Sequence, residues 1–442
     1  MLTFLAVILL GTLFLMLPFS TASGEWCPFL TALFTAVTSV CVTGLVVVDT
    51  YSFWSFPGKV IILLLIQTGG LSVVILWARL IVLLHKRSSL RFRMLVQDYF
   101  NLDNLQGLSR FMNNVIRGTL IVEGAGAVLY SLVFIPQYGF LKGLWLSVFT
   151  SVSAFCNAGI DILGPDSLIP YRSSLIINLT TMLLIILGGL GFFVWFDMIR
   201  TSRECRKKRF GSRAFRSRLH EHTRLVLAAT LLLIVSGTVI VFIGEARNPE
   251  TIGEMSPGGK LLASLFQSVT FRTAGFSTVP QQELTPFTCI AGLFFMMIGG
   301  SPAGTAGGIK TVTAAVLLLN AVSYIRGDSE TVAYGRTVSH RLVSRAIAII
   351  TVHFAFTLLF TELLLLTNDV PALSAVYEIV SATGTVGLSR GLTASLNTAG
   401  KIIVMLAMFV GRITPISMVM FFITGNQSKD SIRYPDGRFL VG

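Results

Sequence analysis

Four short turns recur along the chain at nearly equal spacing: Val42-Thr43-Gly44-Leu45, Asn157-Ala158-Gly159-Ile160, Thr273-Ala274-Gly275-Phe276 and Thr385-Val386-Gly387-Leu388. Their glycines stand 115, 116 and 112 residues apart, and self-similarity at a fixed period marks an internal repeat. Glycine adopts φ > 0 without steric cost, so a turn built on it can aim consecutive carbonyls at one point. Four such turns brought together would form a ring of oxygens able to replace the hydration shell of a desolvated cation. A single Thr-x-Gly turn would read more simply as a helix-kinking or helix-packing glycine of the kind common in membranes. Four turns, each after a short apolar stretch, favour the oxygen ring. Asn157 stands where the pattern expects threonine, and either a turn-forming or an ion-facing role fits it.

A second constellation lies at residues 299–308, which hold five glycines and one proline. That stretch cannot persist as helix, since each glycine costs about 1 kcal/mol and proline about 3 kcal/mol relative to alanine. Apolar flanks on both sides place it at membrane depth, where irregular backbone survives only if it is buried or lines water. Arg412 sits well inside the apolar run 396–424. A central arginine costs at least ~2.5 kcal/mol on insertion scales, so it must face a cavity, a partner or bare carbonyls. Lys310 directly follows the glycine-rich stretch. Cys27, Cys41, Cys156, Cys205 and Cys289 lack metal-ligand spacing and read as small buried hydrophobes. Five dispersed histidines and no paired carboxylates argue against an intramembrane enzyme.

These residues need a membrane to position them. The chain is 53% hydrophobic and 12% charged, with a mean hydropathy of +0.77. Soluble domains carry about twice that charge. Long apolar segments fall at 2–20, 58–84, 113–135, 173–199, 223–243, 287–325, 342–367 and 396–424. Each approaches or exceeds the ~20 residues that cross a bilayer. Shorter apolar stretches at 29–40, 143–155, 259–271 and 371–383 each precede one glycine turn. They are too short to span and suit re-entrant segments. Basic residues outnumber acidic ones 34 to 21, for a net charge of +13. They crowd into 85–93, 200–224 and 326–345, while Asp49, Asp161, Asp166, Glu250, Glu254, Glu283 and Asp369 occupy the intervening loops. That is the pattern of the positive-inside rule rather than of nucleic-acid binding. Both termini are then expected in the cytoplasm, with an uncleaved first helix because residues 1–19 lack a charged leading region.

The expected fold is an all-α polytopic membrane protein of four tandem helix–pore helix–helix repeats arranged pseudo-fourfold around one pore. The repeats cover 1–90 (re-entrant part about 29–45), 105–200 (about 143–160), 223–326 (about 259–276) and 337–425 (about 371–388). A basic cytoplasmic linker at 201–222 and a cytoplasmic tail at 426–442 complete the chain. The linker cluster Arg206-Lys207-Lys208-Arg209 serves topology and anionic lipid, or else a cytosolic partner. No dinucleotide fingerprint is present, because 299–310 does not follow a strand.

At this point the chain resembles the Trk/Ktr/HKT superfamily of potassium transporters, and within it the membrane subunit of bacterial Ktr systems. The resemblance is carried by Phe271-Arg272-Thr273-Ala274-Gly275-Phe276, by the run from Gly299 to Thr311, by Ala382 through Ser389 and by Gly411-Arg412. It implies one filter glycine per repeat, with ion-binding residues Val42, Thr43, Gly44, Asn157, Ala158, Gly159, Thr273, Ala274, Gly275, Thr385, Val386 and Gly387. Glycine at the first of these positions is similar to potassium-selective members; some plant relatives place serine there and favour sodium. The resemblance also implies a gate loop beneath the filter, formed by Gly299, Gly300, Ala303, Gly304, Thr305, Ala306, Gly307 and Gly308. Arg412, and Lys310 beside it, would tether that loop or raise a barrier to cations. Further implications are potassium as substrate, sodium as an activator, no covalent cofactor, and a homodimer in the bacterial plasma membrane. The dimer would sit on a cytosolic KtrA-type ring that alone binds ATP or ADP.

Overall fold

The structure, a computed structural model, describes residues 2–71, 108–208 and 212–413. Among these, the only sheet is a two-residue hairpin, Val332–Ala333 against Arg336–Thr337; the rest is helix and connection. The chain opens with α1 (Leu2–Met16), α2 (Phe29–Cys41), the single turn α3 (Thr50–Phe53) and α4 (Phe56–Gly70). Then follow α5 (Leu108–Tyr138), α6 (Phe140–Cys156), α7 (Leu175–Leu190), α8 (Phe192–Lys208) and α9 (Ser212–Arg218). The third group is α10 (Glu221–Glu245), α11 (Pro257–Phe271), α12 (Pro286–Met297) and α13 (Thr311–Arg326). The last is α14 (His340–Thr367), α15 (Ala372–Gly384) and α16 (Thr398–Ile413). The short apolar stretches anticipated from sequence are therefore α2, α6, α11 and α15, and each packs between the two helices that flank it.

Local chemistry explains the boundaries. Ser55, Ser256 and Thr285 cap α4, α11 and α12 by accepting backbone N–H bonds from Gly58, Gly259 and Thr288, with proline in the first turn of each helix. The four short helices bury their C-terminal halves although these are rich in serine and threonine. Several of their hydroxyls are satisfied within the helix, as in Ser39 Oγ donating to Thr35 O at 2.6 Å and Thr383 Oγ1 to Ile379 O at 2.9 Å. Long helices do the reverse. Leu120, Ile121, Val128 and Leu132 on α5, like Leu231, Leu232, Val235 and Ile243 on α10, stand exposed as a lipid-facing surface should.

Among the described residues, three helices are long and apolar enough to cross a bilayer unbroken: Phe111–Tyr138, Glu221–Glu245 and His340–Thr367. One span expected to be continuous is not. Segment 173–199 divides at Gly191 into α7 and α8, bent by 97°. Gly191 has φ 88°, and a Cβ there would lie 2.4 Å from the Pro302 carbonyl oxygen, so the bend exists to seat the loop of residues 299–308. Segment 287–325 divides into α12 and α13 around that same loop. The basic stretch 85–93, the ends of segments 58–84 and 396–424, and the tail 426–442 lie outside the described residues.

Candidate functional site

Each of the four short helices runs into a turn of the same backbone conformation. Val42 (φ 55°), Asn157 (φ 59°), Thr273 (φ 59°) and Thr385 (φ 51°) are left-handed. Two residues on, Gly44, Gly159, Gly275 and Gly387 also have positive φ, at 101°, 65°, 80° and 93°. Asparagine tolerates this region, but a β-branched residue there is an outlier costing roughly 1–3 kcal/mol. Three such residues at equivalent positions mean that the surroundings impose the conformation.

The N–H groups show where the carbonyls go. Thr43, Ala158, Ala274 and Val386 donate back to Thr38, Ser153, Thr270 and Ser381 carbonyls at 2.9, 2.8, 3.1 and 2.7 Å. Gly44 and Gly387 N–H donate to the hydroxyls of Thr38 and Ser381, both at 3.0 Å. In a planar trans peptide, C=O points opposite to N–H. The carbonyls of Val42, Thr43, Asn157, Thr273, Thr385 and Val386 are thus directed away from the helices. Of these, Thr43 O and Val386 O lie against Gly387 and Gly275 of the neighbouring turns.

The space the turns enclose is narrow. A Cβ on Gly44 would lie 2.5 Å from Ala158 O, one on Gly159 2.5 Å from Gly275 Cα, one on Gly275 2.8 Å from Val386 O, and one on Gly387 2.1 Å from Thr43 O. Every turn touches the turns before and after it in chain order, and the ring closes between the fourth and the first. No side chain larger than hydrogen fits at these positions. On one side of the ring opens a cavity of about 320 Å³ lined by all four glycines together with Asp49 and Asp161. Burial pushes the Asp161 carboxyl up to about 6, against the lowering effect of the Leu163 N–H, which donates to it at 3.2 Å. Asp49 is spent on capping α3, accepting from Tyr51 and Ser52 N–H at 3.2 and 3.0 Å.

On the other side lies the loop of residues 299–308. Gly299 packs on Thr273, Gly307 on Thr385, and Thr305 Oγ1 donates to Phe155 O at 3.0 Å and to Asn157 Oδ1 at 3.4 Å. The loop therefore touches three of the four turns from below. Its ends are pinned by Gly299 N–H to Ile309 O at 2.9 Å, by Thr311 N–H to Gly300 O at 3.0 Å, and by the Ser301–Thr311 hydroxyl pair at 2.7 Å. Ser301 and Thr305 N–H bond Gly189 and Gly188 carbonyls at 2.8 and 3.1 Å, while Ala303 O accepts from Phe192 N–H at 3.1 Å inside the α7–α8 bend. Gly304 and Gly300 lie against the Gly188–Gly189 backbone, and Ala306 meets Gly300. Arg412 donates to Thr305 O at 2.6 Å and to Gly69 O at 2.5 Å, joining α16, the loop and α4. Lys310 Nζ donates to Ala306 O at 2.7 Å. The turn and loop residues singled out from sequence are gathered here in two tiers, with Arg412 and Lys310 against the loop.

Several neighbours were missed. The hydroxyls of Thr38, Ser153, Thr270 and Ser381 brace the turns; Ser153 and Thr270 donate to Ile160 O and Phe276 O, both at 2.5 Å. Their signal was present as a Ser or Thr six residues before each glycine, five in the third turn. Glu378, fully buried behind the fourth turn, accepts from Ser389 Oγ at 2.7 Å and from the Thr393 hydroxyl. Glu123 accepts from Gln67 Nε2 at 3.2 Å beside Cys156, which directly precedes the second turn. The five cysteines are free and buried, and no group able to hold a metal occurs among the described residues.

Lipid-facing helices around a buried, backbone-lined constriction define a multi-pass membrane protein of the cation-transport class. The family model described as TrkH, cation transport protein, matches residues 2–434. The chain is 38% identical to the Ktr system potassium uptake protein B of Bacillus subtilis (strain 168), over 99% of this chain and 95% of that one. It is 33% identical to the potassium/sodium uptake protein NtpJ of Enterococcus hirae, over 99% and 95%. Its fold is similar to the crystal structure of the potassium transporter TrkH from Vibrio parahaemolyticus, with a TM-score of 0.74 at 17% identity, covering 95% of this chain and 84% of that one. The chain belongs to the TrkH cation transport family.

Proposed function

We propose that this protein takes up potassium across the bacterial plasma membrane through a filter of one glycine turn per repeat. The observation that carries the reading is the closed ring of left-handed turns whose N–H groups are bonded backward. Backbone oxygens in such a ring replace water around a desolvated monovalent cation, and the negative ends of four short helices point at it. Potassium is favoured by the printed names of the relatives and by glycine at all four positions. The repeats at 1–90, 105–200, 223–326 and 337–425 would stand pseudo-fourfold about this axis, with both termini cytoplasmic.

The loop of residues 299–308 is the gate. It closes the passage below the ring, and Arg412 holds it there through Thr305 while adding a positive charge on the ion's path. Sodium as an activator fits the relative named for potassium and sodium uptake. A relative named as component B of a system suggests a separate regulatory part. A homodimer on a cytosolic KtrA-type ring that binds ATP or ADP supplies it.

Potassium uptake in a transport-deficient bacterium, with Gly44→Ser and Gly275→Ser beside wild type, tests the filter. Both substitutions should lower affinity or selectivity. Wild-type potassium dependence in both would remove the assignment.

A further inference from the structure

A second site lies away from the axis, where α8 crosses the start of α5. A cavity of about 910 Å³ opens there. Its floor is apolar: Phe111 packs against Phe193 and Phe196 at ring separations of 5.4 and 5.3 Å, and Ile199 extends the surface. Its rim is cationic, formed by Arg203, Arg206 and Lys207, all exposed. The two chemistries are ordered along one helix face. Phe196, Ile199, Arg200, Arg203 and Lys207 follow the three- and four-residue spacing that places side chains on one stripe. Over about 16 Å, at 1.5 Å per residue, that stripe passes from aromatic to basic.

The neighbouring charges are accounted for. Arg200 is engaged by Asp197 at 3.0 Å and by His220 at 3.0 Å. Glu204, the one acidic residue lining the cavity among the described residues, faces Arg218 at 4.0 Å. Arg203, Arg206 and Lys207 make no ion pair among the described residues. The 97° bend after α7 turns α8 sharply off the α7 axis, as an amphipathic helix lying in a membrane interface requires.

The geometry points to a binding site for an anionic phospholipid, with acyl chain on the Phe111–Phe196–Ile199 floor and phosphate among Arg203, Arg206 and Lys207. A zwitterionic lipid would bring its own cation to a rim already positive, and a soluble anion would leave the aromatic floor wet. Because α8 starts in the bend that seats Ala303, lipid held here would bear on the position of the loop below the turns.

The test uses the purified full-length chain in detergent, supplied with phosphatidylglycerol or phosphatidylcholine and followed by native mass spectrometry and thermal unfolding. Phosphatidylglycerol should survive delipidation that strips phosphatidylcholine, and should raise the unfolding midpoint. The triple substitution Arg203→Ala, Arg206→Ala, Lys207→Ala should lower that retention about tenfold or more. The charge-matched triple Arg326→Ala, Arg341→Ala, Arg345→Ala should leave it unchanged. Equal retention of the two lipids, or equal loss in both triples, overturns the site. Glycerol 3-phosphate protecting as well as the lipid would deny the acyl half and overturn it too. Release of a soluble subunit by the first triple, with lipid retention intact, would assign the rim to a protein and also overturn it. If that triple does not fold, Ile199→Glu at its exposed position reads the acyl half: retention should fall, and unchanged retention overturns the proposal.

Discussion

A methyl group on Gly387 would meet the Thr43 carbonyl oxygen at 2.1 Å while the backbone stays at φ 93°. Space and conformation thus forbid a side chain together. Gly387→Ala should reduce potassium uptake at least about tenfold, the left-handed penalty alone being roughly 1–2 kcal/mol. Gly24→Ala, at φ 74° with nothing within 4 Å, suffers only the conformational part, and uptake assays should find it near wild type. Asp161 makes a second prediction at this scale. Its carboxyl is pushed up to about 6, so the mouth carries its negative charge above that pH and loses it below. Uptake from dilute potassium should fall as external pH drops through about 6, and Asp161→Asn should flatten that profile; an unchanged profile would deny Asp161 a part in attracting ions. The glycines were legible in sequence because their period is rigid. The left-handed residues two places earlier were not, since valine and threonine locally oppose positive φ and only tertiary contact reverses that preference.

At the scale of elements, the short helices were readable to within a few residues, because length separates them from spans. The break in 173–199 was hidden inside an apolar run; Gly188-Gly189-Leu190-Gly191 was its sole mark. What bends it is distant in sequence, namely Pro302 against Gly191. The loop should therefore answer to changes on either side of that contact. Deleting residues 303–307 should raise cation flux, and Arg412→Ala, which frees Thr305 O, should raise it in the same direction. Conduction unchanged in both would count against a gating role. The hydroxyl braces give a separate outcome. Thr38→Val and Ser381→Ala leave the Gly44 and Gly387 N–H groups without their partners, a loss of roughly 1–3 kcal/mol each. Potassium uptake competed by sodium should show weakened discrimination, with protein levels in the membrane maintained.

For the whole molecule, the driving force is the membrane itself. An interior-negative potential favours cation entry by ~2.3 kcal/mol per charge for each 100 mV, so transport needs no hydrolysis within this chain. Proteoliposomes with an imposed negative interior should accumulate potassium without ATP, and clamping the potential at zero should stop net uptake. Everything specific to the ion, however, rests on main-chain oxygens converging where the turns close their ring. Crystals soaked in rubidium or thallium(I) and measured at the absorption edge address that most directly. The account predicts an anomalous peak on the axis, in direct contact with carbonyl oxygens of all four turns. Peaks confined to the outer cavity, with the ring empty or its carbonyls turned aside, would contradict it.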